Sequence, residues 1–393
     1  MLATLIRLTG SFDLAEEGLQ DAYVAAAKTW QATPPSHPRA WLIRTARNRI
    51  IDRLRRRTAF VAHQGALAAL AEIEAAAQPP EDDDEAMFGD DLLRLIFTCC
   101  HPSLAREAQV ALTLRTVCGL GTPAVAAAFL VKEEAMAQRL VRAKAKIRAA
   151  RIPYRPPARE LLDERIEGVL ATIYLIFTEA YAGDPRRSLA GEAIGLARRL
   201  DALMPGRPAV QGLLALMLLQ DSRRRARVGP DGAMVRLEDQ DRALWDQGQI
   251  AEGLALVERA LGSAAPPSSY AVQAAIAALH ARAGAAAETD WAQIVELYGV
   301  LMAIHPSPVI ELNQAAAVSL AQGPAEALAM VDAIAARGDL AVYHLLPAAR
   351  GHMLRRLGRR DEALQAYRQA YGLARFAPDR RLIESEIAAL SEA

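Results

Sequence analysis

The chain has 393 residues, of which 52% are hydrophobic, and its 46 basic and 46 acidic side chains give a formal net charge of zero. This length supplies enough apolar surface for two or three domains, each with its own core. No apolar run reaches the roughly 18 residues of a membrane-spanning helix, the first residues lack the pattern of a secretory signal, and three cysteines are too few for a disulfide framework. We therefore expect a folded, soluble, cytoplasmic protein.

Helical periodicity runs through the whole chain. Apolar residues recur at spacings of three and four, and sustained alternation at period two is missing, which predicts an all-α fold. Two proline-containing stretches, "AAAQPPEDDDEA" and "RIPYRPPA", interrupt this pattern. They predict a first helical domain over 1–74, an acidic linker over 75–86, a second small domain over 87–152 and a long helical array over 153–393.

Arginine is concentrated in "RTARNRIIDRLRRR", residues 44–57, within one predicted helix. An apolar stripe of this helix can pack inward and leave the arginines on the remaining surface. The stripe comprises Trp41, Ile43, Ala46, Ile50 and Leu54. A solvated helix held by surface ion pairs is the alternative, but Asp52 is the only acid available. The pattern favours binding to a polyanion, because guanidinium groups match phosphates and base edges.

The sequence "TCCHP" places Cys99, Cys100 and His101 side by side. Adjacent cysteines lack the spacing of a zinc site, so a buried pair at the end of a helix is favoured over a metal site. The chain also lacks a Ser-His-Asp arrangement, a glycine-rich phosphate loop and an H-E-x-x-H motif. We therefore predict that the protein is not an enzyme and needs no metal or cofactor.

A second basic segment ends a pattern typical of a helix-turn-helix. The sequence predicts a helix to about Val117, a Gly-Leu-Gly turn, a short helix from Pro123 to Phe129, a tight turn, and a long helix from Glu133. In this motif the last helix enters the major groove of DNA. Its predicted inward stripe is Met136, Leu140, Ala143 and Ile147. Its predicted outward residues are Ala135, Gln138, Arg139, Arg142, Lys144 and Lys146.

The long array looks repetitive. Small or apolar anchor residues, Gly253, Ile294, Ala327 and Ala363, recur at intervals near the tetratricopeptide period of about 34 residues. Each helical hairpin leaves an apolar face that its neighbour covers, which predicts a stacked, tetratricopeptide-like solenoid. The stretch "RRLGRRDEALQAYRQAY" matches best, with Gly358 at the turn between helices.

One segment of the array, residues 221–241, is not helical in pattern. Pro230, Asp231 and Gly232 form a turn signal between two short stretches that favour β structure. Arginines lie on one side of this turn and acids on the other. The segment either docks the array onto another domain or a partner, or is an ordinary solvated loop.

Taken together, these motifs resemble the extracytoplasmic-function (ECF) group of sigma-70 RNA polymerase sigma factors. The stretches "DLAEEGLQDAYVAAAKTW" and "PRAWLIRTARNRIIDRLRRR" resemble the sigma-2 domain of that group, and "AVAAAFLVKEEAMAQRLVRAKAKIR" resembles its sigma-4 domain. Further stretches, among them "LEDQDRALWDQGQIAEGLAL", resemble the subgroup with a carboxy-terminal tetratricopeptide-like extension. The resemblance extends over essentially the whole chain.

The resemblance implies roles for individual residues. The helix that docks on the clamp helices of the polymerase beta-prime subunit would present Asp13, Glu16, Glu17, Gln20 and Asp21. The residues that contact and melt the minus-ten promoter element would be Arg44, Arg47, Asn48, Arg49, Arg53, Arg55 and Arg56. The loop 31–38 would capture a flipped base. Gln138, Arg139 and Arg142 would read the minus-thirty-five element, with Lys144 and Lys146 beside them on the same DNA-binding helix.

The sequence departs from the sigma-4 pattern around the recognition turn. Leu130 and Glu134 replace the usual glycines, and Ala135 and Ala137 replace a threonine and a lysine. The general pattern therefore does not predict which promoters are preferred.

Sequence alone thus predicts a sigma factor whose partners are core RNA polymerase and promoter DNA, with no membrane association. Its carboxy-terminal extension would regulate this activity and bind a protein partner of its own. The alternative is a helix-turn-helix regulator, or a tetratricopeptide scaffold, that never contacts polymerase.

Overall fold

A computed structural model describes residues 1–30, 35–60, 85–129, 131–182, 189–229, 232–264, 266–374 and 376–392. The predicted all-α fold is confirmed, because these residues form helices and turns and contain no β-strand. The chain divides into two compact units, Met1–Ile176 and Phe177–Ala393. None of the described helices has the length and apolarity needed to cross a membrane.

The first unit begins with three helices. They are α1 (Leu2–Thr9), α2 (Phe12–Thr29) and α3 (Pro38–Phe60). Gly10 ends α1 in the left-handed conformation, with φ of 62°, and the side chain of Ser11 caps α2 by accepting a hydrogen bond from the backbone N–H of Leu14. This sharp turn allows α1 and α2 to pack against each other. Of the predicted base-capturing loop 31–38, residues 31–34 lie outside the described residues, and Trp30 and Trp41 meet edge to face beside it, with ring centroids 5.2 Å apart.

The packing of α2 on α3 depends on a glycine. A Cβ atom at Gly18 would lie 2.5 Å from the side chain of Ile50 and 3.1 Å from the carbonyl oxygen of Ala46. Only glycine lets the two helices approach this closely. The predicted inward stripe of α3 is largely confirmed: Ile43, Ala46, Ile50 and Leu54 are buried, whereas Trp41 is half-buried.

The rest of the first unit is built from α4 (Glu85–Cys99), α5 (Arg106–Thr116), α6 (Thr122–Ala128), α7 (Glu133–Ala149) and the first part of α8 (Leu162–Ala182). The predicted first helix, short helix and long helix are therefore confirmed as α5, α6 and α7. Leu130 and residues 61–84, which include most of the predicted acidic linker, lie outside the described residues. The boundaries between the four predicted segments stay a prediction.

Cys99 and Cys100 form the buried pair predicted from the sequence. The sulfur of Cys99 lies 3.2 Å from the hydroxyl of Thr116, and that of Cys100 lies 3.7 Å from the hydroxyl of Thr113. Burial raises the pKa of both thiols, so they stay protonated at neutral pH. Within the described residues no three His, Cys, Asp or Glu side chains form a group that could hold a metal ion.

The first part of α8 is attached to α4 and α5 by side-chain hydrogen bonds. The guanidinium of Arg106 on α5 donates to the carbonyl of Gly168 and to the hydroxyl of Thr172, at 3.2 and 3.3 Å. Arg165 donates to the carbonyl of Phe97 at 2.7 Å. These contacts extend the first unit beyond the proline-rich stretch at 151–158.

The second unit continues as helices that each pack against the next. They are α9 (Ala190–Leu203), α10 (Pro208–Asp221), α11 (Gln247–Leu261), α12 (Ser269–Arg282), α13 (Trp291–Ile304), α14 (Pro308–Ala321), α15 (Pro324–Ala336), α16 (Leu345–Arg356), α17 (Arg360–Leu373) and α18 (Ala377–Glu392). The predicted anchors Gly253, Ile294, Ala327 and Ala363 are all buried and lie on α11, α13, α15 and α17. The sequence repeat thus marks every second helix.

The turn predicted at Gly358 is confirmed. Gly358 has φ of 73°, which favours glycine, and it connects α16 to α17. Ala363, Tyr367 and Ala370 on α17 are buried against neighbouring helices. The tetratricopeptide-like character of the array stays a prediction.

The segment between α10 and α11 forms a small hairpin. Val228 and Met234 make an isolated antiparallel bridge, and the N–H of Gly232 donates to the carbonyl of Gly229 at 2.9 Å. Pro230 and Asp231, which carry the predicted turn, lie outside the described residues. The hairpin docks on α18 of the same unit, because the N–H of Met234 donates to the carbonyl of Pro378 at 3.3 Å and Arg236 pairs with Glu386.

The close contact at Gly18 leads to a prediction about the local stability of α2 and α3. Gly18→Val places a branched side chain against Ile50 and the α3 backbone, so we expect the local stability of α2 and α3 to fall by about 1–3 kcal/mol. Ala27→Val, at an exposed position of the same helix, should cost roughly 0.5 kcal/mol or less. Native-state hydrogen exchange of α2 and α3 measures the difference, and equal protection in both variants would contradict the close-packing account.

Candidate nucleic-acid interface

The predicted DNA-binding residues of α3 lie mainly on its solvent-facing side. Because the apolar stripe of α3 turns toward α2, the other positions are directed outward. The exposed residues are Arg44, Asn48, Arg49, Arg55 and Arg56, and the half-buried ones are Arg47 and Arg53. This surface presents several guanidinium groups along one helix, as contacts to successive phosphates require.

A groove of about 580 Å³ lies between α2 and α3. Its charged lining consists of Arg49, Arg53 and Arg56 from α3, with Lys28 and Asp21 from α2. Cations outnumber the single acid, so the groove attracts anionic groups. Sequence reasoning missed Lys28, although it stands two helical turns after Asp21 and therefore on the same face of α2.

Arg53 connects the two sets of predicted site residues. Its guanidinium pairs with Glu17 and, at 2.7 Å, with Asp21, both on α2. All three side chains remain between about one third and one half exposed. Ion pairs this exposed contribute only about 0–1 kcal/mol each, so a stronger partner can displace them.

The predicted recognition helix α7 buries the stripe expected from the sequence. Met136, Leu140, Ala143 and Ile147 are buried. Gln138, Arg142 and Lys146 are exposed, as predicted, together with Ala135. Arg139 is partly covered instead, because its guanidinium stacks over the ring of Phe129 at 5.4 Å from the centroid.

Lys144 departs from its predicted exposure. Only 12% of its side chain is exposed, and its ammonium lies 2.8 Å from the carboxylate of Glu16 and 3.3 Å from that of Asp13. Arg148, one turn further along α7, lies 3.1 Å from Asp13. The structure therefore places the acidic face of α2 against the last turns of α7. Sequence reasoning missed Arg148, which carries no signal beyond its position in the basic segment.

A second connection holds α1 against α4. Arg7 donates to the carboxylate of Asp91 at 2.8 Å, and the side chain of Asp91 is almost fully buried. The hydroxyl of Tyr154 donates to the carbonyls of Ala3 and Asp91, at 2.8 and 3.1 Å. Burial, with the nearby Asp91 charge, raises the pKa of the Tyr154 phenol, which stays a hydrogen-bond donor at any physiological pH.

The predicted polymerase-binding residues thus share one helix face. Asp13, Glu17 and Gln20 are exposed on α2, and Glu16 and Asp21 are half-buried. The four acids of this set, which we call the α2 acid face (Asp13, Glu16, Glu17 and Asp21), pair with cations from both α3 and α7. Tyr23 and Val24 of the same helix are also exposed, at 47% and 56%, and add apolar surface beside the acids.

Comparison with known proteins places these helices in a protein class. Residues 1–60, which form α1 to α3, match the family described as Sigma-70 region 2. The chain therefore carries at its amino terminus a domain of the sigma-70 transcription factors. Residues 165–261 match a family described as "Family of unknown function (DUF6596)".

A relative is similar in sequence over nearly the full length of the chain. The chain is 43% identical over 394 aligned positions to "Uncharacterized protein R00370" of Rhizobium meliloti (strain 1021), covering 98% of this chain and 92% of the relative. The chain belongs to the same family as that protein. No solved structure matches it significantly.

The ion pairs of the α2 acid face lead to a prediction: removing the acids that pair with α7 changes the affinity for DNA. Asp13→Asn with Glu16→Gln leaves Lys144 and Arg148 without their partners on α2, so we expect tighter binding to a nonspecific duplex. The slope of log affinity against log salt should steepen by roughly 1–2, since each additional phosphate contact adds about 0.9. Fluorescence anisotropy over a salt series measures both.

The matched control is Glu107→Gln with Glu160→Gln. It removes the same net charge from two exposed positions elsewhere in the first unit. Equal slopes for the two double variants would mean that net charge alone sets DNA affinity, and would contradict a specific masking role for Asp13 and Glu16.

Proposed function

We propose that the protein is a sigma factor of the ECF group, which binds core RNA polymerase and directs it to a set of promoters. One observation carries the proposal: the Sigma-70 region 2 match covers the helices that present the α2 acid face and the arginines of α3. Region 4 function is assigned to the helix-turn-helix within 87–152. This proposal needs no bond chemistry, cofactor or metal.

The residue roles follow from the charges on each helix. The α2 acid face and Gln20 would bind the polymerase clamp helices, with Tyr23 and Val24 supplying apolar contact. The arginines of α3, and Lys28 in the groove beside them, would bind the minus-ten strand while its bases unstack. Unstacking costs a few kcal/mol per base, which phosphate and stacking contacts to the opened strand offset. Gln138, Arg139 and Arg142 would contact base edges in the major groove.

The acids of the α2 acid face cannot pair with cations of this chain and bind polymerase at the same time. Polymerase binding and DNA binding would therefore occur in a fixed order. In the chain alone, the α2 acid face neutralises Arg53, Lys144 and Arg148. When polymerase binds α2, these cations lose their internal partners and become available to DNA. The ion pairs of Arg53 and Arg148 are exposed and therefore weak enough for such an exchange, whereas the more covered Lys144–Glu16 pair would be replaced only if polymerase contacts offset its loss. Promoter binding would therefore follow polymerase binding.

The carboxy-terminal part, 153–393, would be a tetratricopeptide-like extension that regulates initiation from within the same cytoplasmic chain. Support for this proposal comes from the regular helical packing of the second unit and from the burial of the repeat anchors on alternate helices.

Purified core RNA polymerase tests the proposal. We expect the full chain to co-elute with core enzyme in gel filtration without DNA, and to support run-off transcription from a genomic fragment library. A chain that binds duplex DNA but never joins core enzyme would instead be a helix-turn-helix regulator or a scaffold, and the proposal would be wrong.

Two arginines of the groove separate polymerase binding from promoter melting. Arg49→Ala with Arg56→Ala should leave co-elution with core enzyme intact and lower open-complex formation by roughly tenfold or more, because each such contact is worth about 1–3 kcal/mol. Permanganate reactivity of unpaired thymines measures the open complex. Arg259→Ala, at an exposed position of the second unit, is the control. Unchanged melting in the double variant would remove these arginines from the promoter site.

A further inference from the structure

A cavity of about 330 Å³ lies in the second unit, outside every site assigned above. Its walls come from α14, α16 and α18, with Tyr367 of α17, and the segment between α10 and α11 closes one side through Arg236 and Glu238. An engineered protein cavity of about 150 Å³ holds a benzene molecule. The cavity of the second unit is therefore large enough for a molecule of two fused rings.

The walls of the cavity are mainly apolar. The aliphatic side chains that line it are Leu312, Leu320, Leu345, Met353, Leu382 and Ile383. Leu320 and Leu345 are 38% and 42% exposed, so part of this apolar lining faces solvent. A bound molecule with an apolar body would remove this surface from water, which is favourable in proportion to the area covered.

The charged groups of the lining do not favour an anion. They comprise one arginine, Arg236, and two carboxylates, Glu238 and Glu386. The carboxylate of Glu386 already pairs with Arg236 and lies 3.3 Å from the hydroxyl of Tyr367. An anionic ligand would therefore enter beside two carboxylates, and the arginine of the lining is already engaged.

A cation is unfavourable near the middle of α16. Arg356 lies close to the cavity wall, because its guanidinium donates to the hydroxyl of Ser319, a lining residue, at 2.7 Å. Burial, with the charges of Arg236, Arg355 and this arginine, lowers the pKa of His352 on the wall to about 4. The imidazole is therefore neutral at neutral pH, and a positive charge on a ligand beside it would meet the same burial and the same arginines.

Neutral His352 adds a hydrogen-bonding group to this lining. A neutral imidazole has one N–H donor and one nitrogen acceptor. Sites for small molecules combine mainly apolar walls with a few polar groups that orient the ligand. The half-buried imidazole of His352 can orient a ligand in this way without a charge.

We propose that this cavity binds a small neutral molecule with an apolar body and one hydroxyl or amide group, its body among the leucines of α14 and α16 and its polar group beside His352. The open apolar lining selects the body, and the engaged charges select neutrality. A peptide is disfavoured, because its main chain would bring several polar groups against apolar walls without hydrogen-bond partners.

Such a ligand would contact two parts of the second unit that lie far apart in the sequence. Arg236 and Glu238 precede α11, whereas Leu382 and Ile383 belong to the last described helix, α18. Occupancy would therefore strengthen the attachment of the segment between α10 and α11 to α18. This inference does not depend on whether the first unit binds polymerase.

Calorimetric titration of the full chain tests the proposal with three probes that share one ring system: the neutral β-naphthol, the anion β-naphthoate and the cation β-naphthylmethylammonium. We expect β-naphthol to bind and each ion to bind at least about tenfold more weakly, because burying a charge without a partner is costly. Comparable or tighter binding of either ion, or no binding of β-naphthol, would overturn the proposal.

A substitution in the cavity locates the binding. Ala316→Phe fills the cavity from an exposed position of α14, and Ala325→Phe, at an exposed position of α15 outside the cavity, is its control. We expect the first to weaken β-naphthol binding roughly tenfold or more, because the ring excludes the ligand, and the second to leave it unchanged. Equal affinities in the two variants would overturn the assignment. A dimer of the chain that Ala316→Phe dissociates would also overturn it, in favour of a second copy as the occupant.

The hydrogen bond to His352 is tested by comparing two neutral probes. His352→Leu should weaken β-naphthol roughly two- to tenfold, because it removes a hydrogen bond to the hydroxyl, and should leave naphthalene, which has no hydroxyl, unchanged. Fluorescence titration measures both affinities, and thermal melts verify that each variant is folded. An equal effect on the two probes would overturn the placement of the polar group beside His352.

Discussion

The concentration of positive charge on α3 and α7 is the constraint on which the first unit depends. Like charges one helical turn apart repel each other, and acidic side chains from a single helix, α2, offset this repulsion. On α2, Glu17 and Asp21 face Arg53, whereas Asp13 and Glu16 face Lys144. Because acids recur every three or four residues along α2, one helix can supply countercharge to two cationic elements.

The contacts of α2 differ in strength, and this difference suits the proposed exchange of partners. The apolar packing of α2 on α3 is close and permanent, since Gly18 brings the helices together over Ile50. Three ion pairs connect α2 to α7: the two made by Asp13 involve a carboxylate that is about half exposed and are sensitive to salt, whereas Lys144 and Glu16 are mostly covered. The proposed order of events, polymerase first and DNA second, needs this combination of a fixed helical pair and replaceable ion pairs.

Local pattern explains which features the sequence predicted. The helix of α3, the helix-turn-helix of α5 to α7 and the buried repeat anchors depend on apolar spacing within a few residues, and each was confirmed. The pairing of Lys144 with Glu16, the Arg7–Asp91 bridge and the cavity near Arg236 depend on residues far apart in the chain. Charge pattern shows that countercharge is needed but does not say which acid meets which base.

The separation of α2 and α7 tests the central claim most directly. Spin labels at exposed positions of the two helices, introduced by Ala27→Cys and Ala145→Cys with Cys118→Ala, report the distance between them. The account predicts one short, narrow distance distribution in the chain alone and a longer one after core RNA polymerase is added. An unchanged distance distribution, or a broad and long one before polymerase is added, would contradict the central claim. That claim is that the acids of α2 hold α7, the proposed DNA-binding helix, until polymerase takes the place of α7 on α2.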